Sequence, residues 1–160
     1  MDAFTELLQI DWQLVLHHVT DMAIAYVLAL PIGWDREKRE RTAGLRTFPL
    51  VAVAACGYTL VGFDVLTSTD AEGRVIEGLI TGMGFIGGGA ILKNVSEGEG
   101  MVRGTATAAS LWATGAIGLA VALGRLEVAI VLSGLTFFTL RVITSAKEHL
   151  PGVQQKKSGD

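Results

Sequence analysis

The chain has 160 residues, half of them apolar, with 18% charged residues and a mean hydropathy of +0.46. Water-soluble domains carry more charge, roughly a quarter of their residues, so the composition points to one compact unit set in lipid. A net charge of −3 excludes the concentrated basic surface that nucleic acid requires.

In chain order, Met1–His18 is amphipathic, with Phe4, Leu8, Trp12 and Val15 near one helical face, and suits the membrane interface. It contains Asp2, Glu6 and Asp11 and lacks a basic leader, so no signal peptide is expected and the first span serves as its own insertion signal. Asp11 is placed to cap a helix beginning at Trp12. Five apolar segments follow: Val19–Trp34, Leu50–Leu66, Val75–Leu92, Thr105–Gly124 and Val128–Ile143. A spanning helix needs about 20 residues. The third and fourth segments meet this directly, the others with their flanks or by snorkelling of terminal charges.

Between the segments, Asp35–Thr47 reads as a dense charged loop or helical extension, and Pro49 suits the first turn of the second span. Thr67–Gly73 and Asn94–Gly100 read as short loops. Gly124–Glu127 reads as a tight turn that makes spans four and five antiparallel neighbours. Residues 1–148 are expected to form the transmembrane unit, and residues 149–160, rich in Gly, Gln, Lys and Ser, a disordered cytoplasmic tail.

The loop charges test this division. Arg36, Lys38, Arg39, Arg41 and Arg46 fall between spans one and two, and Lys93 and Arg103 between three and four. Arg141, Lys147, Lys156 and Lys157 lie at or after the end of span five, leaving only Arg74 and Arg125 for the other side. Eleven against two, alternating across five spans, is the positive-inside pattern. The sequence therefore predicts an all-α, polytopic bundle of about five transmembrane helices, with the N-terminus outside and the C-terminus cytoplasmic.

From Gly78 to Leu92 fifteen residues carry no charge, and six are glycine. Interior glycines cost a soluble helix roughly 1 kcal/mol each, whereas in a bilayer they let helices approach closely. Gly78, Gly82, Gly84 and Gly88 thus read as a packing ridge. In the fourth span Ser110, Thr114, Gly118 and Ala122 recur at every fourth position, and spans three and four are expected to pack through these faces. Gly82-x-Gly84-x-x-Gly87 matches a dinucleotide-binding spacing by letter, but no strand precedes it and its neighbours are apolar, so helix packing is the better reading. Cys56, the single cysteine, sits among Ala54, Ala55 and Gly57 as small apolar filler.

Charged residues of both signs crowd Gly33-Trp34-Asp35-Arg36-Glu37 and Ala43-Gly44-Leu45-Arg46-Thr47. Asp35 and Arg39, and likewise Arg36 and Glu40, stand four apart and can pair on a continuing helix. Basic residues alone would suffice for topology, since acids add little to orientation. The carboxylates Asp35, Glu37 and Glu40 therefore point to a functional polar cluster at this mouth, with Arg103 a candidate bridge to Asp35 or Glu37. Glu77, inside the third span, pairs with Arg74 or lies on a cation path. His17, His18 and Asp21 cluster at the outer end, but two histidines and one carboxylate are too few donors to hold a transition metal alone, and a metal there stays open. No nucleophile–base pairing is visible, so no catalytic residues and no cofactor are expected.

Three blocks, Ile32-Gly33-Trp34-Asp35-Arg36-Glu37 with Ala43-Gly44-Leu45-Arg46-Thr47, then Thr81-Gly82-Met83-Gly84-Phe85-Ile86-Gly87-Gly88-Gly89-Ala90-Ile91, then Val102-Arg103-Gly104-Thr105-Ala106-Thr107-Ala108-Ala109, carry a resemblance. In that order they resemble the MgtC/SapB membrane family over roughly Ala25–Arg141. The resemblance implies a multi-pass protein of the bacterial inner membrane, linked to growth under magnesium limitation and, in pathogens, to survival inside host cells. It implies a regulatory or accessory role through contacts with other inner-membrane proteins, with the family's polar positions falling on Asp35, Arg36, Glu37, Arg46 and Arg103. Asp35 stands where the family usually has Glu, and Phe48 where a polar residue commonly follows the Arg-Thr pair. Longer members carry a soluble C-terminal domain, and none is expected within these 160 residues. The alternative reading is a small Mg²⁺ or other cation transporter or channel, for which Asp35, Glu37 and Glu77 could supply oxygen ligands. Self-association through the glycine faces is a further expectation.

Overall fold

The computed structural model describes residues 10–39, 43–92 and 104–143, and all of their regular structure is helical. The helices are α1 (Trp12–Lys38), α2 (Thr47–Val65), α3 (Thr69–Leu92), α4 (Thr105–Ala122) and α5 (Leu126–Phe138), the last running into a π-helical turn, Thr139–Ile143. One helix covers each of the five expected segments. By length and composition, α1, α2 and α4 are the described helices that qualify as membrane spans.

Local chemistry sets the helix ends. Asp11 accepts hydrogen bonds from the Gln13 and Leu14 N–H groups, at 2.9 and 3.2 Å, which starts α1 at Trp12. The expected loop Thr67–Gly73 is shorter than that. Ser68 Oγ accepts from the Ala71 N–H at 3.2 Å, and α3 is already helical from Thr69, with Asp70 and Glu72 in its first turn where the helix dipole favours them. The turn after α4 closes on Gly124, whose φ of +67° suits glycine. There the Arg125 N–H reaches back to the Ala120 carbonyl and the Gly124 N–H to that of Val121, so both last-turn carbonyls are satisfied and the chain reverses into α5.

Small side chains fill the interior: Ala25, Ala29, Ala52, Ala55, Cys56, Ala120 and Ala129 are buried around Phe48, Ile32, Leu111 and Ile117. Large apolar side chains face outward, among them Trp12, Tyr58, Phe85, Trp112 and Phe138. That inversion suits lipid, where close helix packing rather than apolar burial holds a bundle together. The centre is α4, which packs against each of the other four helices and most extensively against α2. A Cβ added at Gly118 would lie 2.1 Å from the Ala52 carbonyl oxygen, so only glycine permits this crossing. Ser133 on α5 donates to the Leu28 carbonyl of α1 at 2.7 Å.

The glycine expectation divides. Helices α3 and α4 do pack together, but the contact uses Gly87, next to Ala108, and Met83, seated over Gly115. Within this chain, a Cβ added at Gly78, Gly82, Gly84 or Gly88 would meet nothing within 4 Å. The helical period explains this: Gly78 and Gly82 lie on the opposite side of α3 from Met83 and Gly87. Gly118 does mediate packing, but its partner is α2.

Candidate functional site

The charged motif folds as a clasp at one end of the bundle. α1 continues through Asp35, Arg36 and Glu37 to Lys38, and the chain then turns back across it at Ala43–Arg46. The crossing is tight. Cβ atoms added at Gly33 would stand 3.2 Å from Leu45 Cα, and at Gly44 1.9 Å from Glu37 Oε2. Glu37 Oε2 accepts the Leu45 N–H at 3.1 Å. The Gly44 carbonyl accepts the Thr47 and Phe48 N–H groups, which opens α2. Lys38 lies over the Trp34 ring, its Nζ 5.2 Å from the centroid, a cation–π contact at the exposed side of the clasp.

Asp35 and Arg36 are the buried charged residues among those described, at 6% and 4% exposure. A buried charge is tolerated when it is paired and hydrogen-bonded. Both carboxylate oxygens of Asp35 accept from Arg39 Nε at 3.3 Å, the i, i+4 pair anticipated from the sequence. Arg36 Nη2 donates to Thr107 Oγ1 in the first turn of α4. Thr107 is the partner in this cluster that the sequence did not single out. It sits inside the third motif block, and the pairing of that block with the first was the available signal. Gly104, with φ of +91°, caps α4 immediately before Thr105.

Of the sequence-predicted cluster, the structure brings Asp35, Arg36 and Glu37 to one end of the bundle, each bonded to a different element. Arg46 stands exposed beside them. Arg103 and Glu40 lie outside the described residues. Glu77 is exposed on α3, toward the opposite end of the bundle.

At that opposite end the histidines are engaged by carboxylates. His18 Nε2 is 3.0 Å from Asp64 of α2, and His17 Nε2 is 3.4 Å from Asp21 one turn on. Among the described residues no three His, Cys, Asp or Glu side chains are grouped to hold a metal ion. Asp64 is a second residue that the sequence left unassigned, since nothing local ties it to His18.

The sequence model of the MgtC family matches residues 22–149, which takes in the clasp, the glycine-rich helix and α4. The chain belongs to the MgtC family. Similar relatives include Protein MgtC of Salmonella typhimurium, 38% identical over 115 residues, covering 71% of this chain and 47% of the relative. Protein MgtC of Brucella abortus is 43% identical over 110 residues, covering 68% of this chain and 43% of the relative. The chain thus matches less than half the length of these MgtC proteins. No solved structure matches it. Family membership and the long apolar helices together make this a membrane protein.

Proposed function

We propose that the chain is a multi-pass protein of the bacterial inner membrane that acts as a non-enzymatic regulator or accessory factor in magnesium homeostasis, working through its charged mouth. Five spans, an outer N-terminus and a cytoplasmic C-terminus complete the reading, with the clasp facing the cytoplasm. The observation that supports it best is how the cluster uses its charges. Asp35 is bonded to Arg39, Glu37 to the Leu45 N–H, and Arg36 across the bundle to Thr107. Carboxylates committed in this way fix the end of α1 and the turn that crosses it and do not present free oxygen ligands to a hydrated Mg²⁺. Arg46 remains exposed next to a rigid base, a suitable docking point for another inner-membrane protein.

Vesicle uptake tests this against a carrier. Reconstituted protein and its Asp35→Asn variant are expected to admit no more Mg²⁺ than empty vesicles. Magnesium influx that Asp35→Asn abolishes would overturn the proposal in favour of the transporter reading.

A further inference from the structure

Helix α3 carries charge on an open side, well inside the bundle's length. Arg74 and Glu77 are both exposed, and neither has an ion-pair partner among the described residues. α2 runs out to Asp64, which meets His18, and α3 runs back in from Thr69. Val75 meets Gly62, half a turn inside Asp64, and Glu77 lies half a turn deeper again. At 1.5 Å per residue the Glu77 backbone is about 6 Å inside the His18–Asp64 contact, level with Leu60 of α2, a helix apolar enough to span the membrane.

Residues 77, 81, 84 and 88 follow at steps of four, three and four, and so share one face of α3. Glu77, Thr81 and Gly84 are exposed, and Cβ atoms added at Gly84 or Gly88 would meet nothing within 4 Å. Arg74 borders the same face one turn outward. The side of α3 that packs on α4, with Met83 and Gly87, is a different one. So is the side bearing Gly78 and Gly82, which lines an apolar groove against α2 that neither Arg74 nor Glu77 enters.

We infer that the Glu77–Gly88 face is a dimer seam, met by a second copy of this chain across a twofold axis along the membrane normal, with Glu77 of each copy paired to Arg74 of the other. A carboxylate at this depth in a membrane protein faces protein or water and is paired, so its cover must bring a cation to the same level. The face brings its own. A twofold axis joins equal depths, and Arg74 stands three residues, about 4.5 Å, from Glu77 along α3, within reach of an arginine side chain. Both signs on one patch make that patch complementary to its own copy. Further in, Gly84-x-x-x-Gly88 lets the two α3 backbones approach. Asp70, exposed in the first turn of α3, stays at the rim. The inference needs only the membrane setting and is independent of the regulatory reading.

Single cysteines introduced as Thr81→Cys and Gly84→Cys in a Cys56→Ser background, oxidised in native membranes, test it. Both positions are exposed, so the subunit fold is not at risk. Disulfide-linked dimers are expected at both. They are not expected at Gly82→Cys, at the same depth on the other side of α3, or at the exposed Ile130→Cys on α5. Glu77→Arg and Arg74→Glu, each added to Gly84→Cys, give faces of a single sign and are expected to lower the cross-linked fraction by about tenfold. The double reversal is expected to restore it. Cross-linking at residues 81 and 84 no stronger than at the two controls overturns the inference. So does capture of a different protein in place of the homodimer, a charge reversal without effect, or a double reversal that fails to recover the dimer.

Discussion

Helices α3 and α4 are both built from small residues, yet they use them in opposite ways. In α4 the small positions are turned inward: Ser110, Thr114, Gly115 and Gly118 are buried, and α2 crosses Gly118 at backbone contact. In α3 only Gly87 touches a neighbouring helix, while Gly78, Gly82, Gly84, Gly88 and Gly89 stand open. The difference shows that a run of glycines does not by itself say which side of a helix its neighbours approach. One helix spends its thin face on the fold. The other keeps it for the outside.

The largest effect should come from breaking that contrast at its sharpest point. Gly118→Leu must push α2 off α4, and because the obstacle is backbone it should cost about 3 kcal/mol or more, the upper end of overpacking penalties. The variant is expected to fail to accumulate. Gly82→Leu, on the open face, should leave the melting temperature of the detergent-solubilised subunit essentially unchanged. Equal loss at both sites would erase the distinction drawn between the two helices.

A smaller effect is expected where α4 takes its polar partner. Thr107→Val keeps the shape but removes the acceptor for Arg36, and should destabilise by about 2 kcal/mol, as for a hydrogen bond to a charged group. Thermal unfolding in detergent measures it. A neutral result would mean that the clasp stands without α4. The smallest change belongs to the far end. His18→Gln is expected to cost less than about 1 kcal/mol, because its contact with Asp64 is partly exposed. A double-mutant cycle with Asp64→Asn reads the coupling.

Much of this architecture was legible from the chain. Charge alternation and apolar length located the five helices, Asp11 announced the start of α1, and the four-residue spacing of Asp35 and Arg39 announced their pair. These signals are local, set by helical period and capping chemistry. The bond from Arg36 to Thr107 spans 71 residues of sequence, and that from His18 to Asp64 joins two helices, so neither leaves a local trace. The direction of the α3 glycine face was hidden for the same reason: periodicity defines a face, and only tertiary packing decides what lies against it.

The central place of α4 has a consequence for how the protein is made. Synthesis delivers this helix after α1, α2 and α3, so α3 is made before the helix it chiefly packs against exists. Until then the guanidinium of Arg36 lacks its threonine and the crossing on Ala52 is unformed. Nascent chains halted before residue 104 should therefore keep α1 packed on α2 but leave α3 loose and protease-sensitive, and α3 should become protected as α4 is completed.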